Sequence, residues 1–132
     1  MADNKLKVEV ELVITDGEID DLMVCALEGG INYWCNEVRP SGVGIEFMKD
    51  NPDLYMSDLI SRNHVLFLYD IEQDITETLT KEKLLNGIKL AFNKGLLPLE
   101  YGDNFKLDMC SVDAIVADNI IQLALFNDIV YC

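Results

Sequence analysis

At 132 residues the chain has the size of one domain, spanning residues 1–132, and with half its residues hydrophobic and only three prolines it is not a disordered tail. Its 24 acidic residues against 10 basic ones, a net charge of −14, argue against direct binding to nucleic-acid phosphates or anionic membranes, which depends on Lys and Arg. No segment reaches the roughly 20 apolar residues of a membrane span and no signal-peptide pattern opens the chain, so a soluble domain in the cytoplasm is expected.

Leu6, Val8, Val10 and Leu12 alternate with polar neighbours, which predicts a half-buried strand from Leu6 to Ile14. Thr15 and Glu18 have the spacing of a capping box, and Ile14 with Ile19 that of a hydrophobic staple, so a helix should begin there. Its core face is Ile19, Leu22, Met23, Ala26 and Leu27, and Gly29-Gly30 is expected to stop it in a left-handed conformation. Residues 31–38 read as a second strand, with Pro40, Gly42 and Gly44 forming a turn and residues 44–48 returning as a short strand.

Asn51-Pro52-Asp53 signals a loop before a short helix between Leu54 and Arg62. The apolar run from His64 to Tyr69 has the length of a central strand, followed by a polar turn at 70–74 and a strand from Ile75 to Leu79. Thr80 should cap a helix from Lys81 to about Lys94, with Leu84, Leu85, Ile88, Ala91 and Phe92 on its inner side and Gly95 past its end. Residues 95–107 look irregular. Ser111 should cap a last helix facing inward through Ile115, Val116, Ile120, Leu123 and Ala124, and Ile129-Val130-Tyr131 suggests a terminal strand. Strands that cluster as neighbours predict an α+β fold: a mainly antiparallel sheet of five or six strands with about three helices packed on one face.

Chemistry-bearing motifs are sparse. Cys25, Cys35, Cys110 and Cys132 lack the close spacing of a zinc or redox motif, so four thiols are expected, with Cys25 and Cys35 as small buried hydrophobes. The sole histidine, His64, has no second histidine or nearby cysteine with which to build a triad or a metal site. Gly42-Val43-Gly44 lacks the lysine and third glycine of a phosphate loop. The pairs Asp20/Asp21 and Asp70/Asp74 lack the alternating ligands of a calcium loop, so neither metal nor cofactor is expected. Tyr33-Trp34 reads either as a stacking platform for a base or nucleotide or as core packing with Trp34 the buried member.

The charge is uneven. Between Val8 and Val38 lie Glu9, Glu11, Asp16, Glu18, Asp20, Asp21, Glu28 and Glu37 with no base, and after Lys106 come Asp108, Asp113, Asp118 and Asp128, again with none. These stretches point to one anionic, partner-binding surface built from Asp16, Glu18, Asp20, Asp21, Glu28, Asp113 and Asp118, whose competing explanation is solubility alone.

The segment from Ile19 to Cys35, with its core Ala-Leu-Glu-Gly-Gly-Ile-Asn-Tyr-Trp-Cys, resembles the signature of small proteins of phages and prophages of Firmicutes. Members share a later helix like residues 79–97 and a closing segment like 113–130. The resemblance implies a viral or mobile-element setting, in which small acidic non-enzymes act as inhibitors of host defence. The leading expectation is therefore a non-catalytic acidic protein that occupies the nucleic-acid-binding groove of a basic host protein, such as a CRISPR effector, in the host cytoplasm. The alternative is a module that binds a small ligand, such as a nucleotide signal, through Tyr33 or Trp34. Homo-oligomerisation stays open.

Overall fold

A computed structural model of the chain describes residues 2–102 and 104–132, and its first secondary structure is a two-residue strand, β1 (Leu12–Val13), leading into the cap at Thr15. The Thr15 hydroxyl accepts from the Glu18 amide at 3.1 Å and the Glu18 carboxylate accepts from the Thr15 amide at 2.9 Å, closing the predicted capping box. Helix α1 (Asp16–Cys25) follows, with Ile19, Leu22 and Met23 fully buried, and Ala26 just beyond it in the same core. It does not end in a left-handed glycine. The chain widens instead into one π turn (Ala26–Gly30), and neither Gly29 nor Gly30 has positive φ. Gly30 serves packing instead: a Cβ there would lie 2.8 Å from the carbonyl oxygen of Ala114.

The fold is α+β, but its strands form two three-stranded sheets in place of the single larger one expected. In the first, β2 (Cys35–Pro40), β3 (Leu66–Asp70) and β4 (Ile75–Leu79) pair antiparallel, with β3 in the centre as its apolar run predicts. Leu66, Leu68 and Asp70 point inward, as the two-residue period requires. In the second sheet, β6 (Phe105–Leu107) is central, antiparallel to β5 (Leu99–Glu100) and parallel to β1. The expected strand from Leu6 to Ile14 is thus corrected: among the described residues only Leu12 and Val13 pair, in parallel, and residues 2–11 are exposed without strand structure. Alternation specifies a face; forming the strand also requires a neighbour, and β6 extends for only three residues.

Further differences trace to local hydrogen bonds that override propensity. Where a turn and return strand were expected, Ser41 accepts from the Gly44 amide at 3.1 Å and caps helix α2 (Gly42–Asp50). The expected helix over 54–62 is resolved into two 3-10 turns, Met56–Asp58 and Ile60–Arg62, that bury Leu59 and Ile60. Helix α3 (Lys81–Asn93) is capped by Thr80 and followed by Gly95 at φ +70°, as predicted, although Leu85 is exposed. The last helix, α4 (Ala114–Phe126), is capped by Asp113, not Ser111: the Val116 amide donates to Asp113 Oδ1 at 2.9 Å. Its inward side is Ala117, Ile120, Ile121, Leu123 and Ala124, while Ile115 is exposed. Residues 129–131 are not a strand; side chains hold them.

Helices α3 and α4 cross at Gly87, where a Cβ would meet the Ile120 carbonyl oxygen at 2.6 Å and the Ala124 Cβ at 2.8 Å. Only a missing side chain allows that approach. Gly87→Ala should therefore lower unfolding free energy by about 1–3 kcal/mol in urea titration, the usual cost of overpacking. Gly29→Ala, whose Cβ would meet nothing within 4 Å, should stay within about 0.5 kcal/mol of wild type.

Candidate functional site

The most organised polar cluster centres on Asp118, one turn into α4 and almost fully buried. Trp34 Nε1 donates to its Oδ1 at 2.8 Å, Tyr33 Oη to its Oδ2 at 2.5 Å, and Gln122 Nε2, one turn further along the helix, to Oδ1 at 2.9 Å. Gln122 Oε1 accepts from the Val130 and Tyr131 amides, both at 2.8 Å, so the C-terminal segment is fastened to α4 by one amide side chain. The Tyr131 ring then stacks on Trp34 with centroids 5.6 Å apart, and its hydroxyl donates to buried Asp70 at 2.7 Å. Asp70 also accepts from the Glu72 and Gln73 amides of the β3–β4 turn. Every buried side-chain nitrogen and oxygen among the described residues has a partner.

Beside this cluster opens a cleft of about 470 Å3, bounded by Gly30, Tyr33, Ile115, Asp118, Ile129 and Tyr131. Trp34 is fully buried, as the core reading predicted, and offers no stacking face; only Tyr33, 46% exposed, remains for a ligand. Burial, then the hydrogen bond to Asp118, push the Tyr33 hydroxyl up to about 12, so the phenol remains a donor to the carboxylate throughout the neutral range. No Lys or Arg is among the residues lining the cleft. A phosphate-bearing ligand would meet a carboxylate and no cation.

The seven carboxylates expected to face a partner divide into distinct roles. Asp118 is internal, so it does not belong to a surface. Asp16 pairs with Lys81 at 2.9 Å, and Asp20 accepts from Ser61 Oγ at 2.6 Å while facing Arg62 at 3.4 Å. Glu18 and Asp113 are helix caps. Asp21 and Glu28 are exposed and take part in no ion pair among the described residues. Gly30 packs on the Ala114 carbonyl, so the end of the π turn meets the start of α4 and the two base-free stretches touch there.

Next to Glu28 are two shallow depressions that share Leu27 and Met56. One is lined by Val24, Glu28 and Tyr55, the other by Asn32, Cys35, Asn36 and Val38. Tyr55 is 76% exposed at its edge. Sequence reasoning missed this apolar floor, because Leu27 belongs to a helix and Met56 to a 3-10 turn that only tertiary packing joins.

His64 packs its ring on Phe47 at a centroid distance of 4.3 Å, and burial pushes the Cys35 thiol up, away from a reactive thiolate. The four cysteines are free thiols, with Cys35 buried and Cys25 partly so. Among the described residues no group of three His, Cys, Asp or Glu side chains converges, and no helix is long and apolar enough to cross a membrane. No family model, curated protein or solved structure matches the chain.

Asp118→Ala would orphan the buried indole N–H of Trp34, and chemical denaturation should show a loss of roughly 1–3 kcal/mol with altered tryptophan fluorescence. In alkaline titration, the stabilisation from the raised Tyr33 group is present below its ordinary value of 10.0 and lost as pH rises toward about 12. Tyr33→Phe should remove the tyrosinate absorbance step near the upper end of that range and flatten the stability decline there.

Proposed function

We propose that this is a non-catalytic binding protein that engages a basic partner through the exposed side of α1 and the π turn, with Asp21 and Glu28 supplying the charge and the Leu27–Met56–Tyr55 surface the apolar contact. The observation that carries this reading is that Glu28, without an ion-pair partner among the described residues, borders a depression floored by half-buried Leu27 and Met56 with exposed Tyr55 at its edge. Charge selects and steers the partner; the desolvated centre holds it.

The partner class proposed is a host nucleic-acid-binding protein, including a defence effector of the CRISPR type, because a groove that attracts phosphates also attracts a folded array of carboxylates. The likeness of residues 19–35 to phage and prophage proteins supports that setting and a host-cytoplasmic location. The cleft beside Tyr33 supports a second reading, a small-ligand site. With Asp118 at its wall and no lining cation, that site suits a neutral or cationic ligand better than a nucleotide.

Capture from a bacterial lysate with wild-type protein and with the D21K/E28K variant, followed by mass spectrometry, tests the first reading. The variant should fold normally, since exposed charges contribute little to stability. Wild type should retain a nucleic-acid-binding protein at low salt, displace that protein's nucleic acid, and lose it at about 0.5 M salt, where screening shortens to a few ångströms. D21K/E28K should capture none. Capture indifferent to both changes would reject the acidic face as the binding surface.

A further inference from the structure

Residues 5–11, Lys-Leu-Lys-Val-Glu-Val-Glu, combine a strand pattern with no strand partner among the described residues. Leu6 is 86% exposed, Val8 77% and Val10 42%, although Leu12 and Ile14, of the same parity, pack against the core. The second sheet runs β1-β6-β5, so β1 is an edge. Glu11 turns its carbonyl toward β6, accepting from the Phe105 amide at 3.2 Å. Continued as an extended strand, the arm would then turn the amides and carbonyls of Val10, Val8 and Leu6 to the opposite, open edge.

We propose that this arm pairs with the same arm of a second copy of the chain, forming an antiparallel ribbon with its two-fold axis at Val8. The charge order is what identifies the occupant. In that register Lys5 faces Glu11 and Lys7 faces Glu9 of the other copy, Leu6 faces Val10, and Val8 faces itself. Sliding the arms by two residues either way sets Lys7 against Lys7 or Glu9 against Glu9. A one-residue slide sets apolar against charged positions, and parallel in-register pairing stacks like charges throughout. Only one register satisfies every pair.

Hydrogen bonding agrees with this register. With Leu6, Val8 and Val10 directing their backbone groups to the open edge, the Lys–Glu pairs occupy the non-hydrogen-bonded positions, where opposing Cα atoms approach to about 4.5 Å. The apolar side of the ribbon would cover a groove of about 450 Å3 between the arm and α3, lined by Val8, Val10, Leu85, Ile88 and Phe92. A two-stranded ribbon alone is marginal in water, so this groove provides the hydrophobic support. The contact is isologous, and it closes at two copies.

Sedimentation of the whole chain across micromolar to millimolar concentrations, at about 0.15 M salt, should show a monomer–dimer equilibrium. K7E and E9K each convert two attractive pairs into repulsive ones, and each should weaken self-association about tenfold. Mixing K7E with E9K restores both unlike pairs across the ribbon, so the mixture should form a heterodimer, and the K7E/E9K double variant should dimerise like wild type. Since these side chains are exposed, thermal unfolding of the monomers should be unchanged. A wild-type chain that stays monomeric over the whole range would overturn the proposal. So would single variants that dimerise as well as wild type, or a mixture that fails to associate.

Discussion

Removing the carboxyl group of Asp118 from water is unfavourable unless donors replace the solvent, and three side chains do so: the indole of Trp34, the phenol of Tyr33 and the amide of Gln122. These partners lie about 85 residues away in sequence or one helical turn along, so a single buried group ties the loop before β2 to the last helix. Gln122 carries the connection to the C-terminal segment, and Tyr131 carries it onward to Asp70 and the β3–β4 turn. The aromatic rings of Trp34, Phe126 and Tyr131 then pack on one another in the space this network encloses. Directional polar contacts decide the arrangement, and apolar burial supplies most of its stability.

Folding offsets part of the acidic charge locally, in ways that linear sequence conceals. The base-free run from Val8 to Val38 looks uniformly acidic, yet folding brings Lys81 to Asp16 and Arg62 to Asp20. Other carboxylates in these runs complete helix caps. What remains, around Asp21 and Glu28, is smaller than the composition suggests and better defined, because it adjoins an apolar surface.

The strand pattern of the N-terminal arm and the acidic surface around Asp21 and Glu28 are separate features. One is self-complementary in charge and the other is not. Two copies joined through their arms would present the acidic surface twice, which raises effective concentration against any partner with repeated basic sites.

Local patterns determined much of this protein. The Thr15–Glu18 capping box, the Thr80 cap, the apolar run of β3, the bounds of β4 and the buried face Ile19, Leu22, Met23 and Ala26 all follow from contacts within a few residues, which spacing encodes directly. Core packing of Trp34 is the favoured reading of the aromatic pair, although strand parity leaves the faces ambiguous and the residue lies in the turn before β2. Tertiary structure decided the remainder. Residues 6–11 carry a strand pattern but gain no partner among the described residues, because pairing depends on how far β6 extends. Gly30 and Gly87 mark where helices approach too closely for a side chain, which no single sequence reveals. Asp118 reads as one more surface acid until Tyr33, Trp34 and Gln122 are brought around it. Its burial depends on residues distant in the chain, whereas caps and periods depend only on near ones.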